Sequence, residues 1–209
     1  MENTPLTVVR LQEGKNGCSK FYCHQDQENS LVVIFPGENY TYERPLLYYA
    51  RKAALYKGHD VLCLSYKRKI TWRDMGKYTI DLQADACLDT IRKCLNKSYK
   101  NMYFISKSIG TELAGTISRR LGYEHVRNFF LTPTSEAIKY IVNSSCIVAV
   151  GTQDGIFTKV CIDRVKQHEN VQLKLFKDAK HSLEVDHDLN ESLKILQQVT
   201  NLYEEFLRG

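Results

Sequence analysis

Apolar positions along this chain follow two rhythms. Eight short segments rich in β-branched and aromatic residues, at 7–11, 20–24, 31–35, 61–65, 102–106, 127–131, 146–150 and 171–176, have the composition of β-strands. The third to the seventh are nearly continuous apolar runs, as expected of strands covered on both faces in a parallel sheet. Between them the spacing turns helical. Ile80, Ala84, Cys87, Leu88, Ile91, Cys94 and Leu95 share one face over 79–95, and Leu113, Ala114, Ile117 and Leu121 do so after the fifth strand. Leu193, Leu196, Val199, Leu202, Tyr203 and Phe206 repeat the pattern over 189–207. Strand and helix thus alternate from residue 31, whereas the first two strands follow one another across a turn placed at Gly17-Cys18. The pattern predicts an α/β chain with an antiparallel start.

Composition narrows the class. With 43% hydrophobic and 25% charged residues in 209, the chain can bury a core, and disorder, collagen and coiled coil are excluded. A single domain over 1–209 is expected. Seven cysteines, an odd number without CxxC spacing and mostly in apolar stretches, suit buried thiols in a reducing compartment. No apolar run is long enough for a membrane span, and Met-Glu-Asn-Thr-Pro lacks the features of a secretory signal, so a soluble, cytoplasmic protein without membrane partners is expected. The 29 basic and 24 acidic side chains leave +5, too mild an excess for a nucleic-acid footprint. The densest basic run, Lys67-Arg68-Lys69 with Arg73, reads as a solvated loop.

In open α/β sheets, ligands bind beyond the carboxyl ends of the strands. After the fifth strand comes Ser106-Lys107-Ser108-Ile109-Gly110, and a helix begins at once. Small residues two before and two after a central Ser are what a tight strand-to-helix turn requires, and the helix start behind it favours developing negative charge. Such a match is weak alone, since a Ser often merely caps a helix; the flanking strand and helix give it weight. After the seventh strand, Gly151-Thr152-Gln153-Asp154-Gly155 offers an Asp that backbone amides could keep ionised, or that could simply cap the next helix. After the last strand comes His181, the one histidine of six at the carboxyl end of a strand and downstream of both other groups. His187, between Asp186 and Asp188, sits where a helix start is expected.

The order Ser108, Asp154, His181, each after its own strand, resembles the Ser, acid, His order of the α/β-hydrolase superfamily. The resemblance runs from about residue 31 to the C-terminus, and His181-Ser182-Leu183-Glu184 and Gly151-Thr152-Gln153-Asp154 are similar to the corresponding loops of its small lidless members. It implies a three-layer sandwich around a mostly parallel, about eight-stranded sheet without a cap domain, because little chain separates the sixth strand from the seventh. It also implies an oxyanion hole after the third strand, where Pro36-Gly37 stands in place of the frequent His-Gly. The backbone N–H groups of Glu38 and Ile109 would then face the oxyanion, with Asn39 as an alternative to Glu38 because of the acidic side chain there. A shallow substrate pocket would be walled by Tyr40, Tyr42, Trp72 and Met75, although tyrosines there could equally be core or surface residues. Glu136, after the sixth strand, is the rival for the acid.

What the resemblance implies is a serine hydrolase of a small carboxylic ester or thioester, working through an acyl-enzyme without metal or organic cofactor. Two alternatives stand beside it. An amide or peptide hydrolase would use the same triad, and a hydrolase-fold protein that only binds a ligand would be favoured if Glu38 blocks the oxyanion hole.

Overall fold

Leu31, Val33 and Phe35 of β3 (Ser30–Phe35) pack on one side of the sheet and Val32 and Ile34 on the other, and all five are wholly buried. A strand apolar at every position has to be covered on both faces. The computed structural model describes residues 6–13, 17–24, 30–66, 77–95 and 99–208, and in it this strand lies fourth in an eight-stranded sheet. The other strands are β1 (Leu6–Glu13), β2 (Gly17–His24), β4 (Asp60–Cys63), β5 (Asn101–Ser108), β6 (Val126–Pro133), β7 (Cys146–Gly151) and β8 (Val171–Phe176), in the spatial order β1-β2-β4-β3-β5-β6-β7-β8. β1 pairs antiparallel with β2 and β2 antiparallel with β4, and every other neighbouring pair is parallel. The expected antiparallel start is present. Gly17 and Cys18, however, lie inside β2, paired with Glu13 and Gln12, so the residues between the two strands are 14–16, outside the described residues.

Helices make the outer layers. α1 (Pro45–Tyr56) and α6 (Leu189–Phe206) cover the Val32 face, while α2 (Lys77–Cys94), α3 (Gly110–Leu121), the single-turn α4 (Ile138–Ile141) and α5 (Lys159–Val165) cover the Leu31 face. α1 begins with Pro45, whose fixed φ and missing N–H suit a first helical position, and buries Leu46, Leu47, Ala50, Ala53 and Ala54. α6 begins where Asp188 accepts a hydrogen bond from the Glu191 N–H at 2.9 Å, the helix start expected beside His187. Between β6 and β7 lie only a 3-10 turn over Ser135–Ala137 and α4, so no cap is inserted there. The basic run at 67–69 and Arg73 lie outside the described residues.

Candidate functional site

Ser108 ends β5 with φ of 52°, a left-handed backbone that a residue bearing a Cβ rarely adopts. What holds it there is close packing behind the turn. At Gly110 a Cβ would stand 2.4 Å from the Pro36 carbonyl oxygen and 2.6 Å from that of Phe35, so only glycine lets α3 start so near the end of β3. The Thr111 hydroxyl donates to the Ser108 carbonyl at 2.6 Å and fixes the turn from the helix side.

The other two groups arrive on neighbouring strand ends. His181 Nε2 lies 2.9 Å from Ser108 Oγ, and its Nδ1 lies 2.9 and 3.0 Å from the two carboxylate oxygens of Asp154. The Asp154 carboxylate is itself buried and accepts the backbone N–H groups of Ile156 at 2.8 Å and Phe157 at 3.0 Å. Burial alone would raise its pKa, but the His181 contact and these amides outweigh burial and hold it below the ordinary aspartate value. An ionised Asp154 can only accept, so Nδ1 carries the proton and Nε2 presents its lone pair to the serine hydroxyl. Such an array can deprotonate a hydroxyl and keep the resulting imidazolium paired.

Backbone contacts stitch the acid and histidine loops together. Thr152 N–H donates to the Phe176 carbonyl and Gln153 N–H to the Ala179 carbonyl, both at 2.9 Å. A Cβ on Gly151 would stand 2.0 Å from the Ala179 oxygen, so this glycine permits the two loops to touch. Gly155, by contrast, faces open space and meets no such demand. Glu136 is exposed on the turn over Ser135–Ala137, whereas the carboxylate on His181 is that of Asp154. His24 and His59 are buried away from this edge, on Asp60 and on Ser30 with the Leu207 carbonyl.

After β3 the chain makes a tight loop closed by Gly37 N–H to the Tyr40 carbonyl at 3.1 Å and Tyr40 N–H to the Gly37 carbonyl at 3.3 Å. Gly37 lies against the nucleophile turn, since a Cβ there would meet Ser108 Cβ at 3.2 Å. Asn39, with φ of 53°, is the exposed tip of this loop, and Glu38 is half-buried. Ile109, immediately ahead of α3, carries one of the N–H groups that a helix start leaves without an intrahelical partner. A cavity of about 550 Å³ opens beside it, lined by Gly37, Glu38, Tyr42, Leu64, Tyr66 and Ile109 among others. Tyr42 therefore stands where a pocket wall was expected. Tyr40 is not among the lining residues; its hydroxyl accepts the Leu46 N–H at 3.1 Å and its ring packs beneath the Lys107 ammonium. Trp72 and Met75 lie outside the described residues.

One residue at this site went unread in the sequence. Lys107, next to Ser108, is only 2% exposed. Among the described residues no three His, Cys, Asp or Glu side chains are grouped to hold a metal ion. No described helix is long and apolar enough to cross a membrane.

No family model and no curated protein matches the sequence. Solved structures do match in shape over nearly the whole chain. An α/β serine hydrolase homologue from Coxiella burnetii is 13% identical, with 99% of this chain and 98% of that one covered at a TM-score of 0.70. A Pyrococcus furiosus esterase is 15% identical, with 98% and 92% covered at 0.68. The Butyrivibrio proteoclasticus protein Est1E with ferulic acid bound is 12% identical, with 91% and 94% covered at 0.69. At such identities the likeness speaks for the fold, and that fold is the α/β-hydrolase fold, with an eight-stranded, mostly parallel sheet between helical layers.

Proposed function

We propose that this chain, built on the α/β-hydrolase fold, is a serine hydrolase of small carboxylic esters or thioesters. The reading takes residues 1–209 as one domain with Ser108, His181 and Asp154 as its catalytic triad. One observation carries it: a serine hydroxyl on a left-handed strand-to-helix turn, 2.9 Å from an imidazole whose other nitrogen is held by a buried, amide-bonded carboxylate. His181 Nε2 takes the hydroxyl proton as Ser108 Oγ attacks the carbonyl carbon, and Asp154 stabilises the imidazolium. The tetrahedral oxyanion is met by the backbone N–H groups of Ile109 and Glu38, donors aimed at charge that exists only in the transition state. The imidazolium protonates the departing alcohol or thiol, and water, activated by the same imidazole, releases the acid.

The 550 Å³ cavity beside Ile109, with apolar walls from Leu64 and Tyr42, supports a small acyl or alcohol group. The presence of ferulic acid on a structural neighbour agrees with a small carboxylic substrate. All seven cysteines are free, which supports action in a reducing compartment, the cytoplasm. Glu38 favours a second reading, since a carboxylate lining the cavity beside Ile109 would oppose an oxyanion and suit a protein that only binds its ligand. Labelling with a fluorophosphonate probe separates the two. The hydrolase reading requires wild-type labelling and p-nitrophenyl acetate turnover that both vanish in Ser108→Ala; turnover that survives in that variant sinks it.

A further inference from the structure

The residue before the nucleophile is a lysine with nowhere to go. Lys107 lies within the buried part of β5, and its side chain runs between the sheet and the histidine loop instead of out to solvent. Its ammonium donates to Thr132 Oγ1 at 2.6 Å and to the main-chain carbonyl of His181 at 2.8 Å, and it stands 4.9 Å from the centre of the Tyr40 ring. Two acceptors and a π-face thus surround its three N–H donors.

The first acceptor is brought to it by an irregular strand. Lys107 pairs with Leu131 and Ser108 with Pro133, so Thr132 is the extra residue of a β-bulge and has φ of 38°. Bulges re-aim side chains, and this one turns a hydroxyl onto the ammonium. Two left-handed residues, Ser108 and Thr132, thus sit side by side on adjacent strands, with Lys107 binding one strand to the loop that carries the base.

We propose that Lys107 is a positioning residue, whose buried ammonium grips the His181 carbonyl and thereby holds the imidazole at bonding distance from Ser108. The proposal rests on the serine-hydrolase reading and deepens it. Burial pushes the Lys107 pKa down to about 8, against the pull of the Asp154 and Glu184 carboxylates, so the charge is costly to keep where it is. A neutral apolar side chain would fill the same space without that cost, which points to a use for the charged donor.

The test is p-nitrophenyl acetate hydrolysis by wild type, Ser108→Ala, Lys107→Met and Thr132→Val at pH 7. Lys107→Met is expected to lower kcat at least tenfold with KM within about threefold, because orientation of the base matters in the chemical step and not in binding. Thr132→Val, which keeps the charge and removes one anchor, should lower kcat less. An unchanged kcat, or a KM that rises in step with the fall in kcat, in Lys107→Met overturns the proposal. Should that variant not fold, wild-type kcat in Thr132→Val overturns it. Turnover that persists in Ser108→Ala defeats the serine reading itself and this proposal with it; where Ser108→Ala is inactive, the Lys107 result bears on Lys107 alone.

Discussion

Gly110 and Pro36, far apart in the chain, are so close in the fold that a single methyl group on Gly110 would stand 2.4 Å from the Pro36 carbonyl oxygen. The loop after β3 and the nucleophile turn are therefore seated on each other through backbone. Gly110→Ala must push them apart. It is expected to cost about 3 kcal/mol, the upper part of the range for overpacking, and to lower Tm by roughly 6–12 °C in a domain of this size. Differential scanning calorimetry reads this directly, and a Tm within about 2 °C of wild type would show that the loop yields freely.

Asp154 and Glu136 exchange places as candidates only if the imidazole can turn, and the structure holds Nδ1 within 3.0 Å of both Asp154 oxygens. An Asn at 154 keeps the shape but favours the wrong tautomer, a change that costs on the order of 10⁴ in the worked serine-protease case. Asp154→Asn is therefore expected to reduce kcat by at least about a hundredfold. Glu136→Gln, on an exposed turn, should leave kcat within about twofold. Steady-state kinetics showing the reverse ranking would move the acid to Glu136.

The same carboxylate should leave a mark on stability. Asp154 holds its proton less tightly when folded than when unfolded, because His181 and two amides outweigh burial. Its ionised form therefore favours the folded state above the ordinary aspartate pKa of about 3.9, and the advantage is lost as pH falls through the lower, folded value. Thermal midpoints of wild type and Asp154→Asn should differ by a constant amount above about pH 5 and converge below about pH 4. A gap that widens on acidification would reverse the sign of this coupling.

Substrate length gives an independent check. The cavity beside Ile109 is about 550 Å³ and no cap is inserted between β6 and β7. Acyl chains beyond about ten carbons need a longer apolar cover than such a site gives. Nitrophenyl acetate and butyrate should be turned over at least about tenfold faster than the dodecanoate. A preference for the long chain would contradict the proposed substrate class.

The three groups at the site were legible because each follows a segment with the composition of a strand, which puts their loops at one edge. The task of Gly151, the close approach of Ala179, is set by the neighbouring loop and has no local signature, since Gly155 in the same stretch has no such task. Lys107 escaped notice because a charged residue at the end of an apolar run ordinarily reads as the point where the chain meets water. Its burial depends on the bulge at Thr132, which pairs strands distant in sequence and leaves no local trace. α1 escaped for a related reason. Tyr48, Tyr49, Arg51 and Lys52 blur its apolar stripe, and the buried Arg51 is hydrogen-bonded to Glu43 and Tyr22, partners that the one-dimensional pattern does not place.

β8, which leads into the histidine loop, is the last strand of the sheet, with β7 as its only strand neighbour among the described residues. Edge elements open more readily than central ones, since half their ladder is missing. The base thus rides on the part of the sheet with the least to lose, while Asp154 follows β7, between β6 and β8, and Ser108 sits on β5, between β3 and β6. In rising urea the working arrangement would come apart by detachment of this margin, leaving the serine on an intact platform. Inactivation would then run ahead of the loss of helical signal, and dilution would restore activity without refolding of the centre.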